Sequence, residues 1–552
     1  MVDYERDQSD HHSLDRVTDD RLCEIEESDE TKPMNLPILS VITFTPVIIG
    51  ILLLFYPEDR KQAIRVTALV GATICLLLSI FVYFNYDMAA GGYQFVERAT
   101  WVEALGISYY VGVDGMSAPM VLLTGIVIVT GVLISWGVDD RPREFFAFLF
   151  LLATGVFGVF VALDLFHLFF FYEIAVFPMY LLIGMWGWKV TREYAAMKLT
   201  LYLFIGSVIA LVGALAMYFV SGLNTFDLLA LQEANFSIAF QRFWFPFIFF
   251  GFAVLAGIFP FHNWSPDGHV AAPTAVSMFH AGVLMKLGAF AALRVGIMLL
   301  PEGAKFWMPL IVFLALINVV YGAFIAMMQT DFKYVIGFSS VSHMGFVTLG
   351  FATLSRQGYL GSGLQMFSHG VMTALFFAVV GMVYDRAHTR DINALGGFAG
   401  KMPWAAVALI IGSLVSMGMP GFSGFVAELP IFLGAWSAGQ LTSESFVAPY
   451  YSWIAIVAAI SIVITAFYVL KVVQRVFFGK MPEKFVMSED IVDIKVYDKV
   501  AIVILCSVLV LLGWFPGLMA PLVSTGVTKR LSSLGSCNYT FLTTCIYNHL
   551  HI

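Results

Sequence analysis

Charge is scarce in these 552 residues: 12% are Asp, Glu, Lys or Arg, whereas 59% are hydrophobic and mean hydropathy is +0.85. Soluble domains carry about a quarter charged residues, so a soluble multidomain architecture is excluded. Cysteine is scarcer still. The five present (Cys23, Cys75, Cys506, Cys537 and Cys545) form no CxxC pair and no ligand cluster. Iron–sulfur clusters take four thiolates in most cases, so no such site is visible. No GxGxxG or GKS/T loop stands between a strand and a helix, which leaves nucleotide binding without its usual motifs. The short alternating segments of a membrane β-barrel are missing too. Nothing in the chain calls for a metal, a cofactor or a nucleic acid.

Long apolar runs are what the chain does have. A helix needs about 20 apolar residues to cross a bilayer, and such windows tile the sequence. The fold class is therefore an all-α polytopic membrane protein, with about fourteen spans expected. The seventh is expected near 242–260, the eighth near 272–299 and the twelfth near 403–426. Residues 1–34 hold 12 Asp/Glu against 4 Lys/Arg, which accounts for the whole net charge of −8. The acidic stretch 1–33 lacks apolar periodicity and reads as a disordered extension. The membrane domain is expected over 34–527, and 528–552 reads as a tail of different composition. Loops after odd-numbered spans are rich in Lys and Arg (Arg60, Lys61, Arg141, Arg143, Lys189, Arg192, Arg390, Lys401), while loops after even-numbered spans hold few. The positive-inside rule then turns the odd loops to the cytoplasm and leaves both termini outside.

One stretch departs from ordinary spanning helix. From Gly257 to Phe290 the chain holds Pro260, Pro266 and Pro273 together with His262, Asp267 and His269, and Lys286 follows inside an apolar run. Each proline removes a backbone donor and clashes with the preceding turn, so the helix opens. An opened backbone survives in hydrocarbon only when buried in protein or lining a wet cavity. A second Gly/Pro interruption, GMPGFSGF at 418–425, lies in the other half of the chain. Paired interruptions of this kind point to inverted repeats meeting at mid-membrane.

HNWSPDGHVAAPTAVS followed by LMKLGAF resembles the seventh and eighth helices of the antiporter-like subunits of complex I. FFFYEIAVFPMYLLIGMWG (169–187), QTDFKYVIGFSSVSHMGF (329–346), GMPGFSGFVAE (418–428) and GVDGMS (112–117) extend the resemblance over roughly Asn35 to Val527. Together these segments look most like the M-type subunits of NADH:quinone oxidoreductase, called subunit 4 in mitochondria. That resemblance implies two inverted five-helix repeats, here spans 4–8 (about 145–299) and 9–13 (about 306–473), with helices 7 and 12 broken. It implies a proton-translocating subunit of a translocase, with no redox centre or cofactor in this chain. Quinone reduction would occur in other subunits, with L-, N- and K-like chains as membrane partners in a bacterial plasma membrane. The D-type subunit of a multisubunit Na+/H+ antiporter is the alternative, and a related hydrogenase-type complex a third.

The candidate site residues are Glu173, Lys198, His280, Lys286, His343, His369 and Glu428. A carboxylate or lysine held in apolar surroundings resists charging, which suits it to exchanging protons. Glu173 resembles the family's fifth-helix glutamate, though a helix-pairing carboxylate fits as well. Lys286 resembles the family's central lysine, against the alternative of a lysine snorkelling to an interface. Glu428 resembles the exit residue, against a span-end glutamate facing water. His343 and His369 suit a relay, and equally two hydrogen-bonded core histidines. Lys198 resembles a family lysine at the start of span 6, where an interfacial anchor fits equally. The family's span-7 lysine is replaced by Leu255, so Glu173 lacks its usual partner; either the charge-coupled step is lost or weakened, or a titratable neighbour substitutes, with His280 the preferred one. Asp114 and Asp331 read as helix caps.

Overall fold

The computed structural model describes residues 36–441, 448–486 and 491–531; the acidic extension at 1–33 and nearly all of the tail at 528–552 lie outside the described residues. Helices dominate. In chain order they begin with α1 (Ile38–Leu54) and α2 (Lys61–Phe84), followed by an antiparallel hairpin, β1 (Gln94–Val102) and β2 (Ile107–Val113). The bundle continues with α3 (Ser117–Ile134), α4 (Pro142–Val161), α5 (Leu165–Trp186), α6 (Arg192–Ser221), the short α7 (Leu228–Glu233) and α8 (Ile238–Ala256). After a break come α9 (Trp264–Ala271), α10 (Thr274–Phe279) and α11 (Met285–Ala291), the last two separated by a π-helical turn, His280–Leu284. A second π segment, Ala292–Ile297, ends that run. Then follow α12 (Pro301–Met328), α13 (Phe332–Ala352), α14 (Arg356–Ala387), α15 (Pro403–Ser416), α16 (Ser423–Leu441), α17 (Ala448–Phe477), α18 (Glu483–Val486), α19 (Val496–Trp514) and α20 (Ala520–Leu531).

Among the described residues twelve helices are long and apolar enough to cross a membrane, and the chain is an all-α polytopic membrane protein. The sequence reading expected about fourteen spans. The difference lies in α1 and α15, which are apolar but only 17 and 14 residues long. The hairpin was not anticipated. Its strands carry β-branched and aromatic residues (Val96, Thr100, Val102, Tyr109, Tyr110, Val111), the composition that suits a pleated, half-buried surface. It also serves α1, whose leading N–H groups have no intrahelical acceptor. Glu97 from β1 accepts from Leu39 N at 2.7 Å and Ser40 N at 3.2 Å.

Burial divides the bundle into inner and outer helices. The Thr274–Ile297 run and α14 are enclosed by protein over their whole apolar windows, and α3 and α13 nearly so. By contrast α2, α6, α17 and α19 bury less than half of their apolar windows, and their exposed side chains are largely apolar (Phe204, Ile205, Ile460, Val463). A helix apolar on all sides suits a membrane span, so this outer ring needs no charged face. Two breaks interrupt the inner layer. At the first, Gly257 ends α8 at φ +70°, a left-handed conformation that glycine adopts without a Cβ clash. The backbone groups opened there find partners: Phe259 N donates to Asn318 Oδ1 at 3.0 Å, and Trp264 Nε1 donates to Val254 O at 2.9 Å. At the second, Gly418 (φ +61°) lies between α15 and α16.

Candidate functional site

The inner helices gather five of the seven candidate residues into one buried series. Lys286 on α11 is fully buried, and its ammonium donates to the carbonyl of Ala281 in the π-helical turn. His280, on the same turn, is also fully buried. Its ring stacks on Trp264 at 5.0 Å and meets His269 at 3.9 Å between centroids. Gly268 makes this approach possible, since a Cβ there would come within 2.9 Å of the His280 ring. His269 Nε2 lies 3.0 Å from Ser265 Oγ.

Beyond Lys286 the series continues on α14 and α13. His369 lies in the electrostatic field of both Lys286 and His343. Its ring stacks on that of His343 at 5.3 Å. His343 holds three polar neighbours: Ser416 Oγ at 3.0 Å from Nε2, Gln365 Nε2 at 3.3 Å from Nδ1, and Glu428 Oε1 at 3.5 Å from Nδ1. Glu428 on α16 is buried, and Gly418 leaves it room: a Cβ at that glycine would stand 2.7 Å from Glu428 Oε2. The second break thus opens directly beside this carboxylate. Buried polar atoms are ordinarily hydrogen-bonded. Here both ring nitrogens of His280 and of His369 lack a hydrogen-bond partner, whereas Glu428 has His343 and Gln365 beside it. Together these residues form a buried series of titratable groups.

The other two candidates stand apart from this line. Lys198 on α6 pairs with Asp267 of α9, Nζ to Oδ2 at 2.6 Å, and the same carboxylate accepts from Tyr334 OH at 2.9 Å. Its ammonium is therefore held by a carboxylate of the neighbouring helix. Glu173 is exposed on α5, on a face that also exposes Phe170, Phe177 and Tyr180. Ser207 of α6 and Tyr172 are the polar groups beside it. His280 is the expected stand-in for the missing span-7 lysine, and its observed neighbours are the groups of the buried series. Its ring lies against Trp264 and His269 and in the field of Lys286, while Leu255 is fully buried.

Several functional-looking groups escaped the sequence reading. Gln365 and Ser416 flank His343 but look like ordinary helix residues in sequence. His269 was noticed within the break without being given a role. Lys333, at the start of α13, is buried, with Nζ donating to Ala272 O at 2.7 Å. Asp331 does cap α13, accepting from Lys333 N at 2.8 Å. Asp114 accepts from Ser117 N at 2.9 Å as a cap should, and it also meets Arg294 Nη2 at 2.5 Å in a buried ion pair. Among the described residues no group of three or more His, Cys, Asp or Glu is arranged to hold a metal ion.

Comparison with known proteins identifies the lineage. A family model described as NADH:quinone oxidoreductase/Mrp antiporter, TM, matches residues 162–448. The NAD(P)H-quinone oxidoreductase chain 4-2 of Synechocystis sp. is 36% identical over 446 residues, covering 81% of this chain and 79% of that protein. The corresponding chain 4 of Gloeobacter violaceus is 35% identical over 457 residues, with 83% and 85% covered. Among solved structures, a chain of respiratory complex I from Thermus thermophilus with bound NADH superposes with a TM-score of 0.81 at 27% identity, covering 90% of this chain and all of that one. A chain of the Mrp complex from Dietzia sp. shares the fold with a TM-score of 0.78 at 21% identity, covering 90% and 98%. This protein belongs to the NADH:quinone oxidoreductase/Mrp antiporter membrane family, on the branch of the chain 4 (M-type) subunits of complex I.

Proposed function

We propose that this chain is the proton-translocating M-type subunit of an NAD(P)H:quinone oxidoreductase-like respiratory complex. The observation that carries the reading is the buried line His269, His280, Lys286, His369, His343, Glu428, in which a lysine, four imidazoles and a carboxylate occupy the inner layer of a membrane bundle. Ionisable groups inside a membrane are expensive and are retained for ion movement. Imidazoles both accept and donate protons, so stacked pairs suit a relay. The carboxylate at the end of the line, 3.5 Å from His343, is the release group in this reading.

Water completes the steps between groups that do not touch. Electrons travel in other subunits, and this chain contributes neither a redox centre nor a cofactor. Its partners are L-, N- and K-like membrane chains in a bacterial plasma membrane, with both termini outside. An exposed carboxylate at mid-span needs protein or water over it, so the face of α5 bearing Glu173 is assigned to contact with a neighbouring subunit. Quinone reduction elsewhere reaches the line by changing charges along it, since interacting titratable sites share their protons. The likeness to the Mrp complex is one of fold, whereas the relatives with the greater identity are quinone oxidoreductase chains.

The test is proton transport per quinone reduced, measured on the purified assembly in proteoliposomes. Lys286→Met is expected to leave assembly and quinone reduction in place and to lower the proton yield. An unchanged yield would overturn the reading.

A further inference from the structure

The buried line needs a group that takes protons from water, and Glu173 is poorly situated for it. The structure offers a different acid. Asp267 stands on α9 with its side chain 24% accessible, in contact with Lys198 (19% accessible) and Tyr334. It lies two residues from His269, which is fully buried. Lys333, the neighbour of Tyr334 on α13, reaches the C-terminal end of α9 at Ala272 O and lies in the field of His269. Adjacent residues of α13 therefore hold this short helix at two points, Tyr334 at the part-exposed Asp267 and Lys333 at Ala272, just past its C-terminal end. With odd-numbered loops turned to the cytoplasm, the start of span 6, the start of span 10 and the connection that follows α9 lie toward that side.

We propose that Asp267 is the proton-collecting group of the path, with Lys198 and Tyr334 as its positioning residues. This rests on the proton-transport reading above and names where that transport starts. In the resting state the carboxylate is an anion held by the Lys198 ammonium and the Tyr334 hydroxyl. A proton from a water-borne acid binds an Asp267 oxygen and weakens the pair with Lys198. The carboxylic acid then gives that proton through water to His269, whose Nδ1 has no hydrogen-bond partner. Asp267 returns to the anion and Lys198 re-pairs with it; one proton has entered and no electrons have moved. From His269 the proton passes through water to His280, whose ring centroid lies 3.9 Å away.

The experiment measures proton transport per quinone reduced in proteoliposomes containing the whole complex with Asp267→Asn, Asp267→Glu or Tyr334→Phe. Asp267→Asn is expected to slow transport on the order of a hundredfold, the scale of a lost acid–base group. Asp267→Glu should recover most of it. The discriminating readout is rescue: a membrane-impermeant weak-acid buffer on the cytoplasmic side should restore transport in Asp267→Asn with rising concentration and leave the native complex unaffected. A merely structural aspartate would show no such rescue. Tyr334→Phe, which keeps the ring and the fold, should slow transport only several-fold. Native rates in Asp267→Asn, or a slowed rate that buffer does not restore, would overturn the proposal. Lys286→Met run alongside separates the two failures: if it too leaves transport intact, the reading of the whole chain fails, and if it alone slows transport, only the role of Asp267 does.

Discussion

Glu428 and Glu173 look alike in sequence and differ in the structure. Each is a single carboxylate in an apolar helix with a proline nearby, Pro430 in one case and Pro178 in the other. Glu428 is buried against His343, beside a helix break. Glu173 is exposed, with Ser207 and Tyr172 for company. The difference teaches that an acid inside a span announces a function without announcing which way it faces. An inward acid has its proton partners within its own chain, whereas an outward one must find them in a neighbour.

That contrast can be broken by experiment. Glu428→Gln removes the acid but keeps the shape, and the rate of proton transport should fall on the order of a hundredfold. Glu173→Gln should cost transport only about tenfold less severely than that, and its larger effect should appear in the association with neighbouring membrane chains, read by native gel electrophoresis. Equal losses of transport from the two variants, with assembly intact in both, would erase the distinction. A third carboxylate sets the lower end of the scale. Asp139, in the loop between α3 and α4, is held by Lys61 and Arg65 at 3.1 and 2.9 Å, and those hydrogen bonds keep its carboxyl below the usual range. A lowered value means that its small stabilisation is present at neutral pH and fades as the carboxyl is protonated, below about pH 4. Asp139→Asn should leave transport unchanged and make thermal stability less dependent on pH at the acid end.

How much was legible follows from the same contrast. The two breaks could be read directly, because proline and glycine act on the backbone wherever they stand. Lys286 could be read because nothing polar surrounds it over several turns, so burial was the economical expectation. The facing of Glu173 could not. In LFHLFFFYEIAVFPMYLLIGMW every side of the helix is apolar, so no stripe marks the inward face. The Asp267–Lys198 pair was hidden by a separation of 69 residues in the chain. Gln365 and Ser416 become visible only when α14 and α15 are brought to His343. The hairpin was missed because its segments are short and flanked by far stronger helical signals.

The central claim is that the buried groups act as one line in series. Its most direct test compares partial variants singly and together, measuring proton transport per quinone reduced for Lys286→Arg, Glu428→Asp and the double variant. Steps in series are governed by the slower one, so the account predicts that the double variant matches the slower single variant. If the two losses multiply as independent effects, or if either variant transports at the native rate, the line is not a single path and the account is contradicted.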